Sequence, residues 1–315
     1  MRRESYCLLV FLVSACSPAP AATSTPDAVT ASDASANAGD SAVADAATPD
    51  AATAQRTLAN CGGKVDAQLS GLAKLLRCAT VSQTAESLVV AADGLPPHPT
   101  AYYASGDPNH AAFDTAGGTK KQNPNTLKKS PTTFTIPRVP VAKGLTVTAA
   151  MVDGQANTSA EEYKLGPAGI ALDGVLLFNA TAAPGADIAN EAFTFDSYGA
   201  HPAPGGEYHY HGPSQGPLEA LAAAGLTTQT VPGKAEVEVY GIMCDGTVVL
   251  GCTEADGKAA PTTGLDAQGG HVHDILGKDG AVWFSGRYHV HMCAATGRKY
   301  TPEVQYYKVC GVAKG

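Results

Sequence analysis

Residues 169–179 read GIALDGVLLFN, and residues 240–252 follow the same plan as YGIMCDGTVVLGC. In each stretch an Asp-Gly pair stands between two apolar runs. This pattern is the strongest short-range signal for a β-hairpin, because a two-residue type I′ turn needs positive φ at both central positions. We therefore predict a hairpin at each place, with Cys244 facing Thr247 across the second turn.

Two more segments follow each hairpin in the same order. FDSYGAH and GEYHYHG follow the first hairpin, and LDAQGGH and GRYHVHM follow the second. Matching residues lie 72 positions apart at Asp173 and Asp245, 70 at Asp196 and Asp266, and 80 at His209 and His289. A duplicated unit explains this order, with unit one at about 160–215 and unit two at about 235–295.

Most remaining segments favour strands, since short β-branched or aromatic runs alternate with Gly, Pro, Asn and Asp. We predict a mainly β fold, an antiparallel sandwich- or barrel-like domain over 86–315 built from the two units. A helical cap is expected over 57–85, where apolar residues recur near helical spacing at Val65, Leu69, Leu72, Leu75 and Leu76. A short second helix is expected over 218–226, and a long polar loop over 104–130.

The histidines form the main chemical pattern. His209 and His211 make one His-x-His pair, and His289 and His291 make another. Side chains two apart on a strand share a face, with Cα atoms about 6.5–7 Å apart. Two such imidazoles can reach one ion at metal–nitrogen distances of about 2.0–2.1 Å. Each pair therefore predicts two metal ligands.

A loop histidine precedes each pair, His201 in unit one and His271 in unit two. Three histidines with an open position suit zinc or copper. Asp196 and Asp266, five residues before these histidines, are predicted to orient a ligand through its second ring nitrogen. His273 has no counterpart in unit one and is treated as incidental.

Two other interpretations of these polar residues stay open. The histidines can instead form a buried hydrogen-bonded network with tyrosines and aspartates, without an ion. Glu207, beside the first pair, is either an acid/base or a solvated charge. The sequence contains no phosphate-binding glycine loop.

Six cysteines remain beyond the N-terminal segment, and an even number in an exported chain predicts up to three disulfides. They are Cys61, Cys78, Cys244, Cys252, Cys293 and Cys310. On the predicted hairpin, Cys252 lies too far along the opposite strand to reach Cys244. Cys293 and Cys310 are then the expected partners of these two, in an order that the spacing leaves open.

The first sixteen residues, MRRESYCLLVFLVSAC, resemble a lipoprotein signal. The apolar run is far shorter than the roughly 20 residues of a spanning helix. Cys16 is then the expected lipidation site, with an ordinary secretory signal as the alternative. Ser17 favours the outer membrane over the inner one.

Residues 17–56 are predicted to be a disordered tether. Its first 39 positions carry five aspartates and no lysine or arginine, which accounts for −5 of the net charge of −8. The rest of the chain is nearly balanced and has no basic stripe, which argues against a nucleic-acid partner. A lipid anchor is the one expected membrane contact.

At GEYHYHG the chain resembles the YHYH-domain family of exported bacterial proteins. The similarity extends over about residues 86–310 and includes ADGLPPH at 92–98, QNPN at 122–125 and the segments of both units. It implies export and a β-rich domain, and it places His98 in a recurring motif, either as an extra ligand or as a structural loop histidine. The family often has Cys-Gly-Gly-His where this chain has Tyr198-Gly199-Ala200-His201, so a family disulfide is absent at that point.

Three functions are compatible with this sequence. The leading hypothesis is an exported, lipid-anchored protein that binds copper or zinc. The alternatives are a metal-dependent hydrolase or copper oxidoreductase, and a cell-envelope binding or scaffold module without metal. The family resemblance supplies no reaction.

Overall fold

The structure is a computed structural model, and it describes residues 54–156, 158–182 and 185–315. The predicted signal segment with Cys16, and nearly all of the predicted tether, lie outside these residues. The helices are α1 (Leu72–Leu75) and α2 (Gln215–Ala223). The strands are β1 (Ala79–Gln83), β2 (Ser87–Ala92), β3 (Thr132–Pro137), β4 (Gly169–Ala171), β5 (Leu176–Leu177), β6 (Thr181–Ala182), β7 (Ala186–Asp187), β8 (Ala200–Pro202), β9 (Tyr208–Tyr210), β10 (Val239–Met243), β11 (Val248–Leu250), β12 (Gly270–Leu276), β13 (Val282–His291) and β14 (Gly311–Lys314).

The predicted β-rich fold is confirmed, and its main feature is one sheet of eight strands. The order is β12-β13-β11-β10-β4-β5-β9-β8, so unit two fills one half and unit one fills the other. The two halves meet at the antiparallel pair β4–β10, where Ile170 lies opposite Ile242. These residues differ by 72 positions, the same offset as Asp173 and Asp245. The repeats are thus related by a pseudo-two-fold axis through this pair.

This arrangement differs from the predicted sandwich or barrel of two units. The units lie side by side in one open sheet, whose edges in the described chain are β8 and β12. Within each half, one strand pair is parallel, β5 with β9 and β11 with β13. The parallel pairs arise because each hairpin is followed by a long connection, and the histidine-bearing strand then returns beside the second hairpin strand.

Two glycines permit the close contact at the pseudo-two-fold axis. A Cβ atom at Gly241 would collide with the carbonyl oxygen of Ile170, and one at Gly169 would lie 2.7 Å from the carbonyl oxygen of Ile242. These glycines occupy equivalent positions in the two units. The duplicated "GI" of the hairpins is therefore a packing requirement of the central strand pair.

Both predicted hairpins form, but their turns have three residues instead of two. The Gly174 amide donates to the Ala171 carbonyl, and the Gly246 amide donates to the Met243 carbonyl. Each glycine takes a positive φ, 84° and 100°. A type I turn closed by a left-handed glycine inserts one residue more than the predicted type I′ turn. Cys244 consequently lies in the turn and does not face Thr247.

The N-terminal helical cap is much shorter than predicted. Only Leu72–Leu75 is α-helical, and Ala79–Gln83 is a strand of a separate four-stranded sheet with the order β1-β2-β3-β14. Gly71 has φ 58° and Cys78 has φ 54°, so the backbone takes a left-handed conformation just before the helix and again three residues after it. Of the apolar residues that predicted a helix, Leu69, Leu72, Leu75 and Leu76 are buried in a core shared by the two sheets, and Val65 packs against this core partly buried. Burial, rather than helix formation, explains their spacing.

Two further expectations concern segments around the sheets. The second helix begins three residues before the predicted start, at Gln215, and ends at Ala223. The polar segment 104–130 forms a loop interrupted by the 3-10 turn Ala116–Gly118.

Three disulfides join the fold: Cys61–Cys78, Cys244–Cys310 and Cys252–Cys293. The prediction that Cys244 and Cys252 do not pair is confirmed, and the open order of their partners is now fixed. In the described part of the chain, no helix is long and apolar enough to span a bilayer. Disulfides persist in oxidising compartments, which is consistent with an extracellular or envelope protein.

Candidate metal centres

The first histidine cluster lies at the β8 edge of the large sheet. His201 on β8 lies opposite His209 on β9, and His211 follows β9 directly. One ring nitrogen from each of the three lies within 4.8 Å of the others. The Nε2 atoms of His209 and His211 are only 2.8 Å apart. All three side chains are buried, so the predicted triad of unit one is brought together inside the protein.

The other ring nitrogens determine which atoms point into this cluster. His209 Nδ1 lies 2.7 Å from the Glu207 carbonyl oxygen, and His211 Nδ1 lies 2.6 Å from the Asn179 carbonyl oxygen. A carbonyl oxygen only accepts hydrogen bonds, so both Nδ1 atoms must carry the proton. Each Nε2 atom is then left with a free lone pair, which is the arrangement that metal-bound imidazoles use.

His201 is oriented in the same way through a hydroxyl group. The Thr194 hydroxyl donates to the Glu191 carbonyl at 2.8 Å, so it accepts from His201 Nδ1 at 2.6 Å. Burial lowers the pKa of His201 to about 4 and the pKa of His211 to about 3. The rings are therefore neutral at neutral pH. Three neutral nitrogens facing one another repel unless a cation lies between them.

The second cluster lies toward the opposite edge of the sheet. His271 on β12 faces His289 on β13, and His271 Nε2 is 3.2 Å from His291 Nε2. The Nδ1 atoms of His289 and His291 again contact carbonyl oxygens, those of Arg287 at 3.0 Å and Gly251 at 2.9 Å. The second predicted triad is thus also assembled, with its Nε2 atoms directed inward.

The repeat extends to the groups that orient the rings. Gly251 follows Asn179 by 72 positions, and Arg287 follows Glu207 by 80, the offsets of their own segments. The backbone carbonyl accepts the hydrogen bond from the histidine. Glutamate at position 207 and arginine at position 287 can therefore play the same role. The Glu207 side chain instead pairs with Lys314 at 2.9 Å, away from the cluster.

Glu254 joins the second cluster, although the sequence did not predict it. Its carboxylate lies within 3.2–3.5 Å of an Nε2 atom of every histidine there: His271, His273, His289 and His291. Ligand atoms of Glu254, His271, His273 and His289 lie within 4.8 Å of one another. His273, taken as incidental from the sequence, is therefore brought into the cluster. The repeat could not indicate Glu254, because the matching residue at the hairpin offset is Ala182.

Two buried atoms of this second cluster have no hydrogen-bond partner, Glu254 Oε2 and His289 Nε2. They lie 3.4 Å apart. Orphaned buried polar atoms are rare in native proteins and often indicate an ion or water. Burial alone would raise the pKa of Glu254, but the contacts with His271, His289 and His291 hold it well below its usual range. This donor set of imidazoles around one carboxylate fits a divalent transition metal.

The surroundings of the two clusters differ. Phe178 stacks on His209 with ring centroids 3.7 Å apart, and Phe195 contacts the rings of His201 and His211. This cluster borders a cavity of about 300 Å³, which is also lined by Asn123, Asn125 and Glu191. The second cluster borders a cleft of about 380 Å³ with Asp256 and Lys258 on its wall. The first site is thus lined mainly by aromatic rings, and the second by charged side chains.

Asp196 and Asp266 do not orient the imidazoles as predicted. Asp196 accepts from the Tyr208 hydroxyl at 2.6 Å, and Asp266 accepts from the Tyr288 hydroxyl at 2.6 Å. These tyrosines alternate with the histidines along their strands, so they point to the opposite face. Each aspartate also accepts from backbone amides of the loop before its histidine, such as Ala200 and Gly270. Their role is to shape the loops that present His201 and His271.

His98 lies apart from both clusters. Its Nε2 atom is 3.0 Å from the Tyr210 hydroxyl, and its ring stacks on Tyr198 at 3.5 Å. Tyr210 points away from the His209 and His211 face. Of the two interpretations of His98, its contacts therefore favour the structural histidine.

The two clusters form separate sites. Five strand spacings separate β9 from β13 in the sheet order. At about 4.8 Å per spacing, the clusters are roughly 24 Å apart. Both are therefore able to hold an ion independently.

Comparisons with known proteins agree with the resemblance seen in the sequence. No curated protein and no solved structure matches this chain. A family model described as YHYH protein matches residues 133–269. This range includes the first cluster and Glu254, and it ends before His271 and the rest of the second cluster. The chain is thus similar to the YHYH family over these residues.

Proposed function

We propose that this protein binds copper or zinc at two sites, the cluster of His201, His209 and His211 and the cluster of Glu254 with His271, His273, His289 and His291. One observation carries the proposal. In both clusters the Nδ1 atoms of the His-x-His pair are held by backbone carbonyls, so the Nε2 lone pairs face one another in the first cluster and face the Glu254 carboxylate in the second. Nitrogen-rich sites of this kind suit zinc and copper rather than magnesium or calcium.

A metal titration of the purified protein tests this proposal. After treatment with a chelator, Cu(II) or Zn(II) is added, and the bound metal is measured by calorimetry and elemental analysis. We expect two ions per chain. Replacing His209 and His211 by alanine should remove one ion, and replacing His289 and His291 should remove the other.

His110→Ala is a matched control. This exposed histidine contacts the Tyr103 carbonyl and belongs to neither cluster, so its loss should leave both ions in place. Binding weaker than micromolar that is unchanged in the double variants would overturn the proposal. The clusters would then be hydrogen-bonded networks of a scaffold module, which was the third hypothesis from the sequence.

A lipid anchor at Cys16 would place the protein on the outer membrane. The lipobox-like Val13-Ser14-Ala15-Cys16 supports this part of the proposal, and the three disulfides fit an exported chain. Metabolic labelling with a tagged fatty acid should mark the wild-type protein but not Cys16→Ser. Equal labelling of both would refute the anchor. We propose no nucleic-acid partner, because the charge pattern offers no basic surface stripe.

A metalloenzyme is a second candidate function, and one observation favours it at the first site. That site has three converging imidazoles and borders a cavity of about 300 Å³. A three-histidine set that faces open space is the arrangement of catalytic metal sites, whereas structural sites are closed by four ligands. Hydrolysis or oxidation that requires the metal and is lost with His209→Ala would establish it. Full metal binding without turnover of ester, phosphoester or phenolic substrates would favour storage or transport.

A further inference from the structure

The two sites differ in the charge of the groups that surround the ion position. The first cluster offers three neutral imidazoles, and no carboxylate belongs to its converging ligand atoms. The second has the Glu254 carboxylate at its centre. Glu191 approaches the first cluster only at His201, at 3.7 Å, and its side chain is 38% exposed. A divalent ion would therefore have no carboxylate among its converging ligands at the first site and one at the second.

A net charge of two held among buried aromatic rings is costly. The cost of desolvating an ion falls when an opposite charge is placed next to it. Phe178 and Phe195 pack against the imidazoles and offer no such charge. The remaining side of the site borders the cavity. A small negatively charged molecule in that cavity could reach the ion and compensate its charge.

The repeat identifies the position at which the two sites diverge. Glu254 of unit two matches Ala182 of unit one at the hairpin offset of 72. Ala182 lines the cavity beside the first cluster. Where unit two carries the Glu254 carboxylate, unit one thus has an alanine that borders the cavity.

We propose that the first site takes a small external anion as a further ligand of its metal, whereas the second site uses Glu254 for this purpose. The inference rests on the proposed metal-binding function. The ligand class is a monoanion of a few atoms, such as hydroxide, azide or a small carboxylate. The first site is then the reactive or exchangeable one, and the second holds its ion in a charge-compensated setting.

Azide binding to the Cu(II)-loaded full chain tests the assignment. The His289→Ala/His291→Ala variant leaves the first site alone, and azide should produce a saturable charge-transfer absorption band. The His209→Ala/His211→Ala variant leaves the second site alone, and azide should bind it about tenfold more weakly or not at all. A tenfold ratio corresponds to about 1.4 kcal/mol.

Exchanging the residue types at positions 182 and 254 should exchange the ability of the two sites to bind azide. With the first site alone, Ala182→Glu should abolish the azide band while copper stays bound, and Ala182→Gln is the uncharged control of the same size. With the second site alone, Glu254→Gln should create an azide band. If both Ala182 variants fail to fold, as circular dichroism would show, the Glu254→Gln result decides the question.

The outcomes separate this inference from the function on which it rests. Absence of copper binding overturns the proposed function itself. Copper binding at both sites with equal azide affinity overturns only the anion assignment. Azide binding at the first site that persists in Ala182→Glu also contradicts it, because the introduced carboxylate should compete for the same position.

Discussion

His98 is a single buried residue whose protonation opposes folding. Its side chain is enclosed between the Tyr198 ring and the Tyr210 hydroxyl. Burial lowers the pKa of His98 to about 3, partly offset by its contact with the Pro99 carbonyl. An unfolded chain has a histidine pKa near 6.5. Between these two values the unfolded state binds a proton that the folded state does not, so stability falls as the pH decreases.

We therefore expect His98→Gln to reduce the acid sensitivity of the metal-free protein. Between pH 7 and pH 4.5, the wild type should lose about 2.7 kcal/mol of unfolding free energy more than the variant, at about 1.4 kcal/mol per pH unit below 6.5. Glutamine retains a hydrogen-bonding group for the Tyr210 hydroxyl but does not titrate. Urea unfolding of both proteins at the two pH values measures the difference. Parallel losses in both would contradict the role of His98.

Gly241 is a second residue whose replacement should be costly. A Cβ atom there would collide with the Ile170 backbone at the centre of the sheet. Crowding of this kind costs about 1–3 kcal/mol, so Gly241→Ala should lower the free energy of unfolding by that amount. Ser82→Ala, at an exposed position of β1, should change it by less than about 0.5 kcal/mol. Chemical denaturation compares the two, and equal effects would refute the close contact.

At the scale of structural elements, a disulfide supports the loop that carries Glu254. Cys252 lies two residues before Glu254 and is bonded to Cys293, which lies two residues after His291. The Cys252 amide also donates to the Glu238 carboxylate at 2.6 Å. The bond therefore fixes the spacing between the carboxylate and a histidine of the second cluster.

Removing this disulfide should weaken the second site selectively. The Cys252→Ala/Cys293→Ala variant is expected to bind metal at the second site at least about tenfold more weakly, with the first site unchanged. The Cys61→Ala/Cys78→Ala variant removes a disulfide that lies beside the Gly174 turn, and it should cost stability, about 2–4 kcal/mol, without changing either affinity. Calorimetric titration of both variants gives the comparison. If Cys252→Ala/Cys293→Ala lowered the metal affinity of both sites equally, the effect would be a general loss of folding instead.

The elements that the sequence predicted well are those with a local cause. The alternation in YHYH and YHVH, and the Asp-Gly turns, depend on neighbouring residues, so the inward histidines and the hairpins could be predicted. The position of Glu254 in the second cluster could not be predicted. Its contact with His271 joins two segments that are distant in sequence, and unit one has no glutamate at the equivalent position. The helical cap predicted over 57–85 is much shorter in the structure, because burial produced a spacing that resembles helical periodicity. The roles predicted for Asp196 and Asp266 were wrong, because both aspartates bind tyrosines on the strand face opposite the histidines.

At the scale of the whole molecule, the duplication gives one sheet with a metal-binding cluster toward each edge. The pseudo-two-fold axis at Ile170 and Ile242 places equivalent histidines on opposite halves. The four-stranded sheet adds its apolar side chains to the same core. The two clusters therefore share one cooperative fold although they are roughly 24 Å apart.

Metal binding at the two sites should consequently stabilise the same unfolding transition. An ion that binds only the native state adds about 2.7 kcal/mol when its free concentration is 100 times its dissociation constant. The wild-type protein should gain about 5.4 kcal/mol in total under that condition, twice the per-site value. The His209→Ala/His211→Ala and His289→Ala/His291→Ala variants should each retain about half of this gain. Calorimetric scans with and without metal measure the effect, and His110→Ala should behave like the wild type. If the two halves of the sheet unfolded independently, metal would instead split the scan into two transitions, and each double variant would leave one of them unshifted.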